Sequence, residues 1–456
     1  MNLRRIAISF LLLLAYASVP AIAQDDAELI DMVVGLLAES DKDIRAIALD
    51  QIRTKAPGAE ATKQFAAQLS KVSDDAKVGL LSALADRGDV AAKSAVADVL
   101  NASKSDELQV AAIRALSKLG DGSNVSDFVK RMDSKATSEA ARTGLIQLQG
   151  DGITKSIVSE LSKSPIAMQE KLIAILTARR ALDGIPDLLK MAQGDDAKLR
   201  AAAMKSLGKL ASPEHVPELV KGVLKAKVGG ERNNAEKNLM FVCNGISDKE
   251  KRADPLLAAM DKLNSSDRTA MLQCLGRVGG PAALKEVDKA LASRDRTIHM
   301  AGIRAISNWP DATVADRLIK LAKTGRHPDH KRIARMSLLR IAPLPDGRTD
   351  AEKLELLKTS MKLAANDKEK NYGIKRAAAI RLVETLRYVL PYIDQSAFSK
   401  EACQTVVELS HDRKLRDDNK PEFHAAMDKV IATTKDPVLI ERCNRYKTGQ
   451  TWERPK

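Results

Sequence analysis

Aromatic residues are scarce: Phe, Trp and Tyr together make up 3% of the 456 residues. Glycine and proline cluster at short breaks, and no stretch alternates apolar and polar residues with period two, so sheets are excluded as the organising element. The chain has only four cysteines and no CxxC, which excludes zinc ribbons and thioredoxin-like chemistry. No GxSxG, P-loop or GxGxxG is flanked by a strand and a helix, and the six histidines include no HExxH pair. Beyond residue 23 no segment is apolar enough to cross a bilayer. These absences leave an all-α chain with no recognisable catalytic motif, metal site or cofactor.

What is present is a repeat. In Gly194–Leu224, GDDAKLRAAAMKSLGKLASPEHVPELVKGVL, two acids open a helix at Asp195 and Asp196, where the helix N-terminus favours negative charge. Leu199, Ala202, Ala203, Ser206, Leu207 and Leu210 then form one small, apolar face. Ser212 and Pro213 start a second helix whose buried face is Val216, Leu219, Val220 and Val223. A pair that is apolar on one side only requires neighbours. Aligning Arg200–Ala203–Leu207 places Arg45–Ala48–Ile52, Lys77–Leu80–Leu84, Gln109–Ala112–Leu116 and Ala141–Gly144–Leu148 in the same slots. Arg268–Met271–Leu275, His299–Gly302–Ile306, Lys331–Ala334–Leu338 and Lys375–Ala378–Leu382 follow. Hits fall about 30–32 residues apart through most of the chain, a period that marks a solenoid of helical pairs. Breaks such as Gly88-Asp89, Gly120-Asp121 and Gly280-Pro281 recur at the same interval.

The segments DDAKLRAAAMKSLGKL (195–210), DELQVAAIRALSKLGD (106–121) and SDKDIRAIALDQI (40–52) resemble the HEAT family in its short bacterial form, similar to phycobilisome-lyase-type repeats. The resemblance covers roughly residues 27–386. It implies a right-handed α-solenoid of about eleven helix pairs, with inner helices lining a concave groove, and most often protein partners. It transfers no catalytic residue. Residues 391–447 read as a helical C-terminal cap and 448–456 as a flexible tail bearing Trp452, after an array spanning 24–390. This tail is similar to those of exported HEAT arrays that precede a carbohydrate-active domain. An enzyme accessory, carbohydrate-active or lyase-type, is therefore the alternative to a non-enzymatic binding scaffold.

Residues 1–23 read as a secretory signal: Arg4 and Arg5, an apolar run from Ile6 to Ala17, and Ala21-Ile22-Ala23 before Gln24. The expected location is periplasmic or extracellular, compatible with an even number of cysteines. Cys243 and Cys274, one period apart, are the candidate disulfide; the competing reading makes them two small buried residues. Formal charge is +14. The excess gathers late, with 28 Lys and Arg against 19 Asp and Glu in residues 323–456. A basic exported surface points to acidic partners, a protein or an anionic polysaccharide, rather than to nucleic acid. The sharpest patch is Lys323–Arg340, KTGRHPDHKRIARMSLLR. Arg268, Lys331, Arg332 and Arg335 are the expected groove contacts. The basic slot at the first turn of the inner helices, Arg45, Lys77, Arg200, Arg268, Lys331 and Lys375, reads first as a ladder of ion pairs between neighbouring repeats, with a charged stripe on the groove as the alternative. If His299, His327 and His330 joined around a deep pocket, chemistry would gain over binding.

Overall fold

The computed structural model describes residues 23–452, with side chains from Glu28 onward. The expected signal segment falls outside the described residues except for Ala23. Among the described residues there are 27 α-helices and no strand, and helix pairs stack as an α-solenoid within each of two compact units, one ending at Met191 and the other beginning at Ala192.

Unit 1 pairs α1 (Ala23–Leu37) with α2 (Lys42–Thr54), α3 (Ala59–Ala67) with α4 (Asp74–Arg87), and α5 (Lys93–Ala102) with α6 (Asp106–Leu119). It continues with α7 (Val125–Arg131) and α8 (Ser138–Gln147), α9 (Ile153–Leu161) and α10 (Ile166–Arg179), and closes on all but the last residue of α11 (Ile185–Ala192). Unit 2 opens on α12 (Ala197–Leu210), then pairs α13 (Val216–Lys225) with α14 (Gly230–Asn244) and α15 (Asp254–Met260) with α16 (Ser265–Val278). Next come α17 (Pro281–Ala292) with α18 (Arg296–Ser307), α19 (Ala315–Thr324) with α20 (Pro328–Ile341), and α21 (Asp350–Leu363) with α22 (Asp367–Ala377). In each unit the even-numbered helices touch one another in sequence and form a continuous second-helix layer.

The acids and hydroxyls that precede these helices are their caps. Asp41, Ser73, Ser105, Asp196, Asn264 and Asp295 each accept a backbone N–H of the first turn, satisfying donors a helix leaves open. Asp196, for example, takes Lys198 N–H at 2.8 Å and Leu199 N–H at 3.0 Å. The aligned slots face the first-helix layer: Ile52, Leu84, Leu116, Leu207, Leu275 and Leu338 are fully buried, as are Ala48, Leu80, Ala112, Ala203, Met271 and Ala334. Gly88 ends α4 in the left-handed region at φ 74°, where a side chain would be strained.

Two pairs of adjacent second helices in unit 2 meet in the same register. A Cβ on Gly208 of α12 would lie 2.6 Å from Asn238 Oδ1 of α14, and one on Gly276 of α16 would lie 2.1 Å from the Ala305 carbonyl of α18. Leu239, fully buried, fills the slot on α14, so in both contacts the residue just after the buried slot of one helix meets the residue just before that slot in the next. Equivalent positions are therefore level between α12 and α14 and between α16 and α18.

The register drifts after the turn at Ala342–Gly347. Lys375–Ala378–Leu382 does not fill the slots: α22 ends at Ala377, Lys375 is exposed, and Ile374, Ala377 and Ile380 are buried instead. The terminal helices are α23 (Val383–Val389), α24 (Ser399–Ser410), α25 (Arg413–Asp418), α26 (Lys420–Thr433) and α27 (Pro437–Lys447). The charged run at 411–420 contains the short helix α25, capped by Asp412. These helices share one hydrophobic cluster with α21 and α22, including Phe423, Met427, Val430 and Tyr446. Trp452, expected in a flexible tail, packs on that cluster with the Arg442 guanidinium 5.0 Å from its ring centre.

Candidate functional site

The basic slot at the first turn of second helices is largely engaged. Arg45 donates to the Glu39 and Ser40 carbonyls at 2.9 and 2.8 Å and to Asp75 Oδ2 at 2.8 Å. Arg200 repeats the arrangement on the Gly194 and Asp195 carbonyls at 2.9 and 2.7 Å and on the Glu231 carboxylate at 2.8 and 3.2 Å. Each guanidinium ties the loop before its own helix to the first turn of the next second helix. Planar, multi-donor arginine suits this task better than lysine.

Two of the four expected contact residues take part in such bonds. Arg268 reaches Asp261 Oδ1 at 2.7 Å and Glu286 Oε2 at 3.1 Å. Arg335 holds both oxygens of Glu369, at 2.7 and 2.9 Å. Glu369 is buried, which opposes ionisation, yet the Arg335 bonds and the Ala365 N–H outweigh burial and keep its carboxyl below the ordinary glutamate range. Lys331 is half-buried and has no ion-pair partner among the described residues. Arg332 is exposed and stands 3.6 Å from Asp329.

His299, His327 and His330 do come together, with ring centres 5.2 Å apart for the first and third and 5.4 Å for the second and third. His299 Nδ1 lies 2.8 Å from the Leu291 carbonyl, and His327 Nδ1 accepts the Asp329 N–H as the α20 cap. His330 is buried, and burial, then its two histidine neighbours, hold it below the ordinary histidine range. No group of three or more His, Cys, Asp or Glu side chains among the described residues could hold a metal ion.

The four cysteines are free and buried. The candidate bridge between Cys243 and Cys274 is not formed: Cys274 Sγ lies 3.7 Å from the Glu236 carbonyl inside the stack. Burial raises the Cys243 thiol to about 12 and lifts Cys274 well above the ordinary thiol range.

A second group of arginines went unseen in the sequence. Arg87 donates back to the Ile52 and Lys55 carbonyls, both at 2.8 Å, and to Ala56. Arg179 does the same to Leu145, Ile146 and Leu148, and Arg340 to Ser307 and Trp309 at 2.9 and 2.7 Å. Each satisfies carbonyls left open at the end of the preceding second helix. The partners they share are backbone groups, which leave no trace in the pattern of side chains, although Arg87 also donates to Thr62 Oγ1 at 2.6 Å.

Once these engaged residues are set aside, the uncommitted positive charge lies elsewhere. In unit 2 the helices α12, α14, α16, α18 and α20 carry fourteen Lys and Arg against four Asp and Glu. The first-layer helices α13, α15, α17, α19 and α21 carry ten against eight. Lys205, Lys209, Lys237 and Arg304 point from the second-helix layer to solvent and have no ion-pair partner among the described residues. Lys205, Lys237 and Arg304 each stand two residues before the buried slot of their helix, and Gln273 occupies that place on α16. Phe241, 55% exposed, sits one turn beyond Lys237 on the same face. In unit 1 a separate cleft of ≈ 600 Å³ opens between α3, α5 and the starts of α4 and α6, lined by Leu69, Lys77, Asp98 and Leu108 among others.

No family model and no curated protein matches the chain. Among solved structures it is similar to the karyopherin Kap121p bound to the extreme C-terminus of the protein phosphatase Cdc14p, with 13% identity and a TM-score of 0.45 over 89% of this chain and 54% of that one. Yeast importin-beta, Kap95p, gives 10% identity and a TM-score of 0.39 over 89% and 63%. The CpcE–CpcF complex of phycocyanin lyase from Nostoc sp. PCC7120 gives 18% identity and a TM-score of 0.26 over 55% and 97%. The chain spans about half the length of the Kap121p chain it matches.

Proposed function

We propose that this chain is an exported, non-enzymatic scaffold that binds a partner protein along the exposed face of its second-helix layer in unit 2. The observation that carries the reading is the set of unpaired cations on that face, where a rigid stack holds many contact points in fixed positions at little ordering cost. Export rests on the residue pattern of 1–23. Of the residues first expected to make contact, Lys331 and Arg332 retain charge for a partner, whereas Arg268 and Arg335 act mainly as braces between helices.

The test is a photo-crosslinking amino acid placed at Lys237, with Lys285 on the first-helix layer as control, in cells that secrete the protein. The expected result is an adduct at 237 but not at 285, which protease treatment collapses. Adducts at neither position or equally at both would reject the docking face. An adduct that resists protease but yields to glycan-degrading enzymes would replace the protein partner with an anionic polysaccharide.

A further inference from the structure

We infer that the partner of this face is an extended acidic polypeptide segment, with carboxylates at about every third residue and one apolar side chain that seats on Phe241. The inference rests on the scaffold reading above and adds the chemistry of the occupant.

Spacing supplies the first argument. Lys205 on α12 and Lys237 on α14 occupy equivalent, level positions on adjacent second helices. Packed helix axes stand about 8–10 Å apart. A chain in the extended polyproline-II conformation advances about 3.1 Å per residue and brings every third side chain to the same face, so about three residues span one helix-to-helix step. Gln273 takes the next position and is turned to Glu236 at 2.9 Å, so α16 offers no free cation there. Arg304 on α18 resumes the column. A segment of this conformation crossing the layer would thus place acids at positions i, i+3 and i+9 on one face.

Charge supplies the second. On α12, α14, α16, α18 and α20, the positions six before, two before and two after the buried slot hold no carboxylate. Glu231 and Glu236, the acids of α14, are already bound by Arg200 and Arg277. A basic or neutral segment would meet cations with no internal counter-charge, so complementarity selects an acidic one.

Phe241 supplies the third. A large aromatic ring more than half exposed, flanked by Lys209 on α12 and Lys237 on its own helix, is the arrangement of an interface anchor bordered by charge. It fixes where along the acidic segment an apolar residue belongs, close to the acid that meets Lys237.

The experiment uses the full secreted chain and fluorescent twelve-residue peptides read by anisotropy at low and physiological salt. One peptide carries Glu at every third position with a central Leu. A second has the same composition with its Glu residues gathered at one end, and a third replaces Leu by Ser. The spaced peptide is expected to bind about tenfold more tightly than the clustered one, and binding weakens as salt rises. Lys237→Glu and Arg304→Glu should each weaken it about three- to tenfold. Phe241→Ser should abolish the advantage of Leu over Ser, while Lys285→Glu leaves binding unchanged; circular dichroism confirms that each variant is folded. Equal binding of spaced and clustered peptides, or loss caused equally by Lys285→Glu, would overturn the inference. If no peptide binds while crosslinking at Lys237 still captures a protein, the acidic segment is wrong and the scaffold reading stands. If both fail, the scaffold reading fails with it.

Discussion

At the residue scale, the same side-chain type performs two unrelated tasks, and only pairing separates them. Arg335 and Lys205 are both cations on second helices, yet the first is locked to a buried carboxylate and the second has none. Breaking the Arg335–Glu369 pair from one side leaves an uncompensated charge in the stack. Arg335→Met is therefore expected to cost about 3–5 kcal/mol by denaturant unfolding, and adding Glu369→Gln should recover most of it. The sign of the pH effect follows from Glu369 being held below its ordinary range. Its contribution is complete above the unfolded glutamate range and is lost as pH falls through the lower folded value. Unfolding measured between neutral pH and about pH 3 should show a smaller acid loss in the double variant than in the wild type. Counting charges along the chain placed the basic excess at residues 323–456, where Arg335, Arg340, Arg348 and Arg387 prove to be bonded internally. A count cannot see which cations have partners, so nothing in it singles out Lys205, Lys237 and Arg304.

At the element scale, most of the fold was legible because each second helix repeats the same buried slot and the same opening cap. Leu84, Leu207 and Leu338 are three instances of one position, and Asp41, Asp196 and Asp295 are three instances of one cap. What was illegible lies between elements. The arginine that reaches back about one repeat to bare carbonyls needs only the right height on its helix, with no partner side chain to mark it. Arg340 fills this role for α18, whose end also carries the buried Trp309. Arg340→Met keeps the length of the side chain but removes the donors, leaving the Ser307 and Trp309 carbonyls open. The expected loss is about 1–3 kcal/mol. Amide exchange should rise first at the α18–α19 junction, the place a global packing defect would not single out. Equal destabilisation without that local signature would mean the guanidinium contributes by packing alone. The misplaced Lys375 register has a similar origin: the turn at 342–347 and the long α21 reset the phase, and a fixed period carried across them points to an exposed lysine.

At the scale of the whole molecule, stacked repeats couple mainly to their neighbours, so stability need not be shared evenly along the chain. Each compact unit contains its own buried slots, and the terminal cluster around Phe423 and Tyr446 belongs to unit 2 alone. A close backbone approach between two second helices of unit 2 is a sensitive place to test this. Gly276 leaves no room for a side chain against the Ala305 carbonyl, and that neighbour is backbone, which cannot rotate aside. Gly276→Val should therefore force α16 and α18 apart and destabilise unit 2 by several kcal/mol, roughly the scale of severe overpacking. Hydrogen exchange read by mass spectrometry should show protection lost in peptides from 192 onward, with α4 and α6 of unit 1 still protected. That pattern would also remove peptide binding while leaving unit 1 folded, separating the docking layer of unit 2 from the cleft of unit 1. Uniform loss of protection from α2 to α27 would instead make the chain one cooperative body, and the two clusters of contacts would have no thermodynamic meaning.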